Sequence, residues 1–598
     1  MGSVALDDAT EVSTVSGSLS AIGGSAASGN VSARQVRVGV LLNGPSGGVG
    51  GPEGTRASGT LAIDGDLEAN RVLDIGWAHV PGAAAGVAVV GGNVRVIVAQ
   101  PGVPDFGGVA VGTSSQHPDD RVVQLTTGSL TVGGDLEAIV DERGAGTSLS
   151  VGSASGDSAA EGRVDVGGDL LGFNTVVVGT TFSNTPGATA TGELHVAGRM
   201  DSIDNPVIGI YKTLSVGVST SSSEAPTRGY ATIGEIDGRN VEVGVSRGNL
   251  GPAIGVLEIG SGQLVQAEVG TTGGAYAEGT LTTGGDLLFV EVGISRGGAP
   301  LFPFPQGDAV GTVTAAGSVR SATVGSITSD GTARGQLDVG SVVGGDGYAR
   351  VGFNDRGAGS ADGHMVVRTG GMSAGQILVG TLFSPQFGSG PFANGAVTGM
   401  LESTGDVTTH YFRGDFVGYA NPNSGGHADG TWILHDATYT SSKLTVGLNQ
   451  GTGSATGLVH FDRTRVDVAD LTLGDGATIE LEMQGVVRGD EYSAIDADVA
   501  KLNGVLAVSF IEPAALGVYD LIVSNGIDGI TGEFDAVTIV GLAADQQALW
   551  GVVTVGDTNP VEVFRLHIVP EPASGALLAL GLLGLSAPRT RAGRRAGR

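Results

Sequence analysis

Val-Glu-Val-Gly-Val-Ser-Arg-Gly at positions 241–248 returns almost unchanged at 290–297 as Val-Glu-Val-Gly-Ile-Ser-Arg-Gly. The offset is 49 residues, and Ala-Glu-Val-Gly-Thr-Thr-Gly-Gly at 267–274 lies halfway between. One repeat unit is therefore about half of 49 residues, the scale at which a supersecondary unit stacks on its own copies. A second landmark opens each unit: a glycine, any residue, then an apolar residue. It stands at Gly255-Val256-Leu257 and Gly279-Thr280-Leu281, with looser copies at Gly59, Gly162, Gly192, Gly311, Gly335, Gly363, Gly399, Gly430 and Gly457. Gly-Asp-Leu corners at Gly65, Gly134, Gly168 and Gly285 form a third.

Each unit reads as strand, turn, strand, loop. Leu130 and Val132 point one way and Thr131 the other, the period-two alternation of a half-buried strand. At the corners, glycine supplies φ > 0 and aspartate bonds the local backbone. A lone strand pair cannot bury its apolar face, whereas stacked copies can. The expectation is an all-β chain, a parallel β-helix or β-solenoid with ladders of Val, Leu, Ile and Ala. Sixteen or so coils at about 4.8 Å each give a rod of roughly 75 Å. Antiparallel sandwiches are the alternative, and the near-exact echo disfavours them.

The organisation expected is an N-terminal cap or disordered segment over 1–35 and solenoid repeats over 36–485. The texture changes over 486–568, with longer apolar strands and Trp550, and this part reads as a β cap closing the last coil. Composition agrees. Glycine accounts for 107 of 598 residues and aromatics for 5 %, too few for several mixed cores, and no Gly-X-Y period runs through the chain. The net charge is −30, so nucleic acid is repelled, while divalent cations are plausible counterions. Without cysteine there are no disulfides, thiolate metal sites or cysteine nucleophiles. Residues 1–33 hold no Lys or Arg and no apolar run longer than three, so no secretory signal is legible there.

Candidate sites within the body are weak. His410, His427, His435 and His460 cluster in sequence near Asp415 and Asp436, and His410 and His435, 25 apart, could stack as zinc ligands. Surface or turn histidines are the plainer reading. Gly344-Gly345-Asp346-Gly347 resembles one corner of the calcium-binding nonapeptide array, without its repetition. Arg488-Gly489-Asp490 is a tripeptide that chance provides. No G-x-S-x-G, P-loop or H-E-x-x-H occurs. No catalytic residue, metal ligand or cofactor is expected.

The end of the sequence carries the sharper signal. Pro570-Glu571-Pro572 precedes an apolar stretch, Gly575 to Ala587, and then Arg589, Arg591, Arg594, Arg595 and Arg598. Thirteen apolar residues are short for a permanent span of about 20. These three parts in this order resemble the PEP-CTERM sorting signal. The resemblance covers the last 30 residues and implies processing by an exosortase, a membrane transpeptidase-like protease. It makes Pro570, Glu571 and Pro572 the recognition motif. Leu577, Leu578, Leu580, Leu582, Leu583 and Leu585 would form a short hydrophobic sorting helix inserted transiently in the membrane, with Arg594 and Arg595 as its basic stop. It also implies export to the cell surface or extracellular matrix, with exopolysaccharide as a partner. The sequence thus points to a non-enzymatic structural protein. A carbohydrate-binding or carbohydrate-cleaving β-helix protein and an adhesin are the alternatives, and an acidic cluster on one face of adjacent coils would favour cleavage.

Overall fold

The computed structural model describes residues 16–21, 30–40, 56–78, 82–98, 108–114, 124–140, 147–155, 158–182, 188–201, 213–220, 226–247, 251–296, 307–328, 330–355, 357–383, 395–412, 414–422, 424–525, 528–556 and 560–571. These residues build one continuous stack of parallel strands, and no helix occurs among them. The sandwich alternative is overturned. Named strands pair antiparallel only at the end, where Val561–Pro570 lies between Gly517–Ser524 and Gln546–Val555.

A coil has three strand segments rather than two. In one coil of the central region they are 227–233, 235–237 and 240–243, all within the bent strand Thr227–Val243. The first segment forms the longest ladder, eighteen strands from Ser16–Ala21 to Ala536–Val540. At about 4.8 Å per step this rod is about 80 Å long. Its inward residues make the expected apolar column, in which Leu257, Leu281, Val313, Leu337, Met365, Leu401, Trp432 and Val459 follow one another in register. All are buried.

The opening glycine of each coil stands in that ladder. Gly17, Gly59, Gly86 and Gly128 are consecutive partners. The column continues through Gly162, Gly192, Gly229, Gly255 and Gly279 to Gly457, where Ala477 replaces glycine. A second glycine closes the coil after a Val, as in Val243-Gly244, or once after an Ile, at Ile75-Gly76. From Gly39 to Gly447, fourteen such glycines have φ between 58° and 64°. The two columns press backbone on backbone: a Cβ on Gly128 would lie 2.1 Å from the Gly112 nitrogen, and one on Gly112 would lie 1.8 Å from the Glu161 carbonyl oxygen.

This contact divides the cross-section. On one side lies the main apolar core, fed by all three strand segments. On the other lies a narrow chamber of small residues, such as Ala333, Ala361, Ala428 and Ala455. The residue two places after the closing glycine enters this chamber. Ser219, Ser246 and Thr272 stack there in register, fully buried, and the Ser246 hydroxyl donates to the Gly251 carbonyl at 3.3 Å. The motif at 241–248 is thereby explained position by position. Val241 and Val243 face the core, Gly244 turns the chain, and Ser246 satisfies the loop that starts the next coil.

The corners work differently from the sequence expectation. Gly65, Gly134, Gly168 and Gly285 do not have positive φ. At three of them the preceding coil fills the Cβ space: the distances would be 2.2 Å from Asn93 Oδ1 at Gly134, 2.1 Å from Asp135 Oδ1 at Gly168 and 1.7 Å from the Gly262 carbonyl oxygen at Gly285. The aspartates bond the next coil rather than their own turn. Asp66 Oδ1 accepts from Asn93 N–H (2.7 Å), Asn93 Oδ1 from Asp135 N–H (2.8 Å) and Asp135 Oδ1 from Asp169 N–H (2.8 Å).

Both boundaries of the stack also move. Ser16–Ala21 already pairs with Arg56–Ile63, ahead of residue 36. Parallel pairing runs past 485, through Ala494–Leu502 and Val505–Phe510 to Ala536–Val540, because those segments keep the inward apolar register. The sorting helix falls outside the described residues.

Candidate functional surface

Three glutamates stack on neighbouring coils where the motif places them: Glu242 is in register with Glu268, and Glu268 with Glu291. Each is the outward residue between two inward valines or their equivalents, so the strand pleat fixes its direction. Like charges at ladder spacing repel, and the motif's own arginines counter this. Arg247 pairs with Glu242 and approaches Glu268 at 3.9 Å, while Arg296 approaches Glu268 at 3.6 Å and pairs with Glu291. Burial pushes the Glu242 and Glu291 carboxyls above the usual carboxylate pKa range, against the attraction of their arginines and with added repulsion from Glu268. This is an acidic row on adjacent coils, the feature that would favour carbohydrate cleavage. Here, however, all three carboxylates are held by guanidinium groups, and the row ties coil to coil.

The histidines do not assemble as a zinc site. His410 lies in the loop after Val407–Thr409, its N–H donating to the Ala374 carbonyl at 3.2 Å, whereas His435 ends the first strand segment of its coil and registers with Thr404 and Asp462. The 25-residue spacing fails because a coil here takes 31 residues from Gly399 to Gly430 and 27 from Gly430 to Gly457. His427 bonds the Ser454 hydroxyl at 2.7 Å. His435 Nδ1 meets Asp462 at 3.1 Å and His460 Nδ1 meets Glu480 at 3.0 Å. Asp436 is held by Arg463 of the next coil. Among the described residues, no group of three or more His, Asp or Glu is placed to hold a metal ion.

Asp415 has a role that its sequence context did not disclose. It is fully buried and meets no cation among the described residues. Its Oδ2 accepts from the hydroxyls of Thr409 (2.6 Å), Tyr439 (2.6 Å) and Ser441 (2.8 Å), and its Oδ1 accepts from the Ile377 N–H (2.7 Å). Burial pushes its carboxyl pKa up against these four donors and pushes that of the Tyr439 hydroxyl well above its ordinary value. The network seals the break in the coil between Thr409 and Asp415.

Asp346 pairs with Arg320 (2.7 Å). The Arg488 guanidinium is spent on Asp496 (2.9 Å) and on the Asp520 and Ile495 carbonyls, so the tripeptide at 488–490 is bonded into the fold through its arginine. On the outer face of the coils around residues 345–420, aromatic rings gather. Tyr348 and Tyr411 meet edge to face at 6.4 Å, and Phe412, 75 % exposed, lies 4.8 Å from Tyr411. Arg350 sits over Tyr348 at 4.7 Å.

At the end of the fold, Pro570 closes the last strand opposite Gln546, and the Glu571 N–H donates to the Asp545 carbonyl at 2.6 Å. Both residues are exposed. Pro572, Leu577, Leu578, Leu580, Leu582, Leu583, Leu585, Arg594 and Arg595 lie outside the described residues. No described helix is long and apolar enough to cross a membrane.

No family model and no curated protein matches this chain. Among solved structures, the chain is compared with the crystal structure of the Haemophilus influenzae Hap adhesin, at 11 % identity and a TM-score of 0.20, over 86 % of this chain and 64 % of that one. The chain thus spans less than two thirds of that structure's length.

Proposed function

We propose that this chain is a non-enzymatic structural rod of the cell surface or extracellular matrix, exported and then processed by an exosortase at its Pro-Glu-Pro tail. The observation that carries this reading is the junction at Pro570. The three-part tail begins where the last strand ends, and Pro570 and Glu571 are exposed there. A protease at the membrane would reach Pro570 and Glu571 without unfolding a coil. The body supports a structural role, because its conspicuous charged row is closed by arginines. Cleavage after the motif would remove five arginines and no acid from a chain of net charge −30, leaving a more anionic rod bridged by divalent cations.

The test is intact mass and location in the native host, with and without the exosortase gene. A product shortened near Pro572 and found outside the cell only when the protease is present supports the reading. A full-length product retained in both strains overturns it.

A second reading, carbohydrate binding, is favoured by the Tyr348, Tyr411 and Phe412 rings beside Arg350, since aromatic faces take the apolar faces of sugars. Loss of polysaccharide retention in Tyr411→Ala, with unchanged retention in Phe182→Ala on another exposed ring, would establish it.

A further inference from the structure

The coils around residues 319–416 carry two insertions at one corner, and the aromatic rings stand on them. Val319 and Ala322 are three residues apart, whereas their partners on the next coil, Val342 and Ala349, are seven apart. Ala374 and Leu378 are four apart, whereas their partners Thr409 and Phe416 are seven apart. The inward register resumes after each insertion, with Ala349, Val351 and Val417 buried, so the core requires neither. Extra residues in a strand re-aim the side chains they carry. The first insertion ends at Tyr348 and the second holds Tyr411 and Phe412, and the three rings meet there across the intervening coil. Arg350 completes the corner. Its guanidinium lies over Tyr348 at 4.7 Å and over Phe353 at 5.1 Å. It has no ion-pair or hydrogen-bond partner among the described residues, and its Nε is buried without an acceptor. Glu291 feels its charge but is paired with Arg296. On the preceding coil, by contrast, Arg320 is taken up by Asp346.

We infer that this corner binds a polysaccharide of uronic acids, with a sugar carboxylate on the Arg350 guanidinium and pyranose faces on Tyr411 and Phe412. The inference rests on the carbohydrate-binding reading above and adds the charge of the ligand. Three features select it. The side chains bordering the rings, Ser321, Thr323, Asp346 and His410, are polar and at least partly exposed. Rings in a polar frame suit a pyranose, which has an apolar face and a hydroxyl rim, and do not make the broad apolar patch that a protein or lipid surface takes. A guanidinium that rests on a ring and lacks a protein partner keeps its fork of donors for a carboxylate. The net charge of −30 does not cancel it, because at physiological salt charges beyond about 8 Å are screened while the contact with Arg350 is direct.

The test is retention of the full chain on immobilised polygalacturonate, alginate and hyaluronan, each beside its carboxyl-reduced form. EDTA is present so that divalent cations do not bridge acid to acid. The wild type is expected to hold at least one uronate polymer more tightly than its reduced form. Arg350→Gln should weaken that binding by about tenfold or more, the loss of a charge-assisted hydrogen bond, and leave the reduced form unchanged. Arg350→Lys, which keeps the charge and loses the fork, should weaken it less. Tyr411→Ala should weaken binding of both forms. Exchange protection of Met372–Leu382 in each variant separates a lost contact from a lost fold. Equal retention of the acidic and reduced forms, or an Arg350→Gln chain that holds the uronate polymer as the wild type does, overturns the inference and leaves the carbohydrate reading standing. No retention of either form of any of these polymers overturns both.

Discussion

The central coils and the C-terminal cap are built from similar residues and obey different constraints. In the coils around 227–355 each backbone segment has a neighbour on both sides, and the glycines of the two columns are fixed by contact with the coils before and after them. On the outer strand of the cap, Gly551 meets open space. Gly270 has φ of 61° and its Cβ would lie 1.8 Å from the Val310 carbonyl oxygen, whereas Gly551 would meet nothing within 4 Å. The difference teaches that the glycine content follows from stacking rather than from a general need for flexibility. Periodic contact between coils removes the room for a side chain.

That comparison breaks or holds on one pair of variants. Gly270→Ala should destabilise its coil by more than about 4 kcal/mol, since a left-handed backbone and a backbone clash add together. Gly551→Ala should leave the cap unchanged or raise its stability by up to about 1 kcal/mol, as for glycine replaced in an unstrained strand. Hydrogen exchange of the flanking strands measures both, because stability in a repeat array is local. Equal effects at the two sites would remove contact as the reason for the glycine columns.

Asp415 sharpens the comparison from within the stack, at a coil interrupted between Thr409 and Asp415. Asp415→Ala leaves the Tyr439 hydroxyl and the Ile377 N–H without their acceptor and takes one of two acceptors from the hydroxyls of Thr409 and Ser441. The expected loss is about 3 kcal/mol, read from protection of Met372–Leu382 and Thr438–Asn449. Asp415→Asn, which keeps one acceptor oxygen, should lose less than half of that.

Much of this architecture was legible in the sequence. The 49-residue echo spans two coils, and eleven of the opening glycines were recognisable from their flanks. Gly17, Gly86, Gly128 and Gly229 were not, because loops of unequal length spoil the spacing: Gly86 to Gly128 takes 42 residues and Gly255 to Gly279 takes 24. The corner glycines were found for the wrong reason, since sequence does not separate a glycine required by φ from one required by contact with the preceding coil. The Glu-Arg row lay inside the quoted motif, and its meaning needed the register. His410 and His435 misled because a fixed spacing was assumed where coil lengths vary. The cap edge was illegible, since Gln546–Val555 reads like any core strand until the end of the stack is known.

Asp74 extends the comparison to the N-terminal end and to pH. Burial pushes its carboxyl pKa up to about 6, against the pull of Arg37 at 3.3 Å. A carboxyl whose folded value exceeds its unfolded value contributes stability at low pH and loses it as the pH rises from about 4 to about 6. Asp74→Asn should therefore match the wild type at pH 4 and exceed it at pH 7, by up to about 3 kcal/mol. Urea melts followed by exchange in Leu67–Ile75 at the two pH values check the sign. A variant weaker at pH 7 would mean that the pair with Arg37 outweighs burial.

The smallest effect belongs to the centre of the Glu-Arg row. Glu268→Gln removes repulsion from Glu242 and Glu291, and both should then ionise at lower pH. It also removes a distant partner from Arg247 at 3.9 Å and Arg296 at 3.6 Å, each of which keeps its nearer glutamate. The two losses oppose each other on a surface that salt screens, so stability should change by less than about 0.5 kcal/mol. Carboxylate titration by NMR should show the two neighbours shifting downward together. If only one moves, the three glutamates are not one coupled row, and the motif's arginines serve separate coils. If stability falls by more than about 1 kcal/mol, Glu268 contributes to holding the coils together rather than merely being tolerated between them.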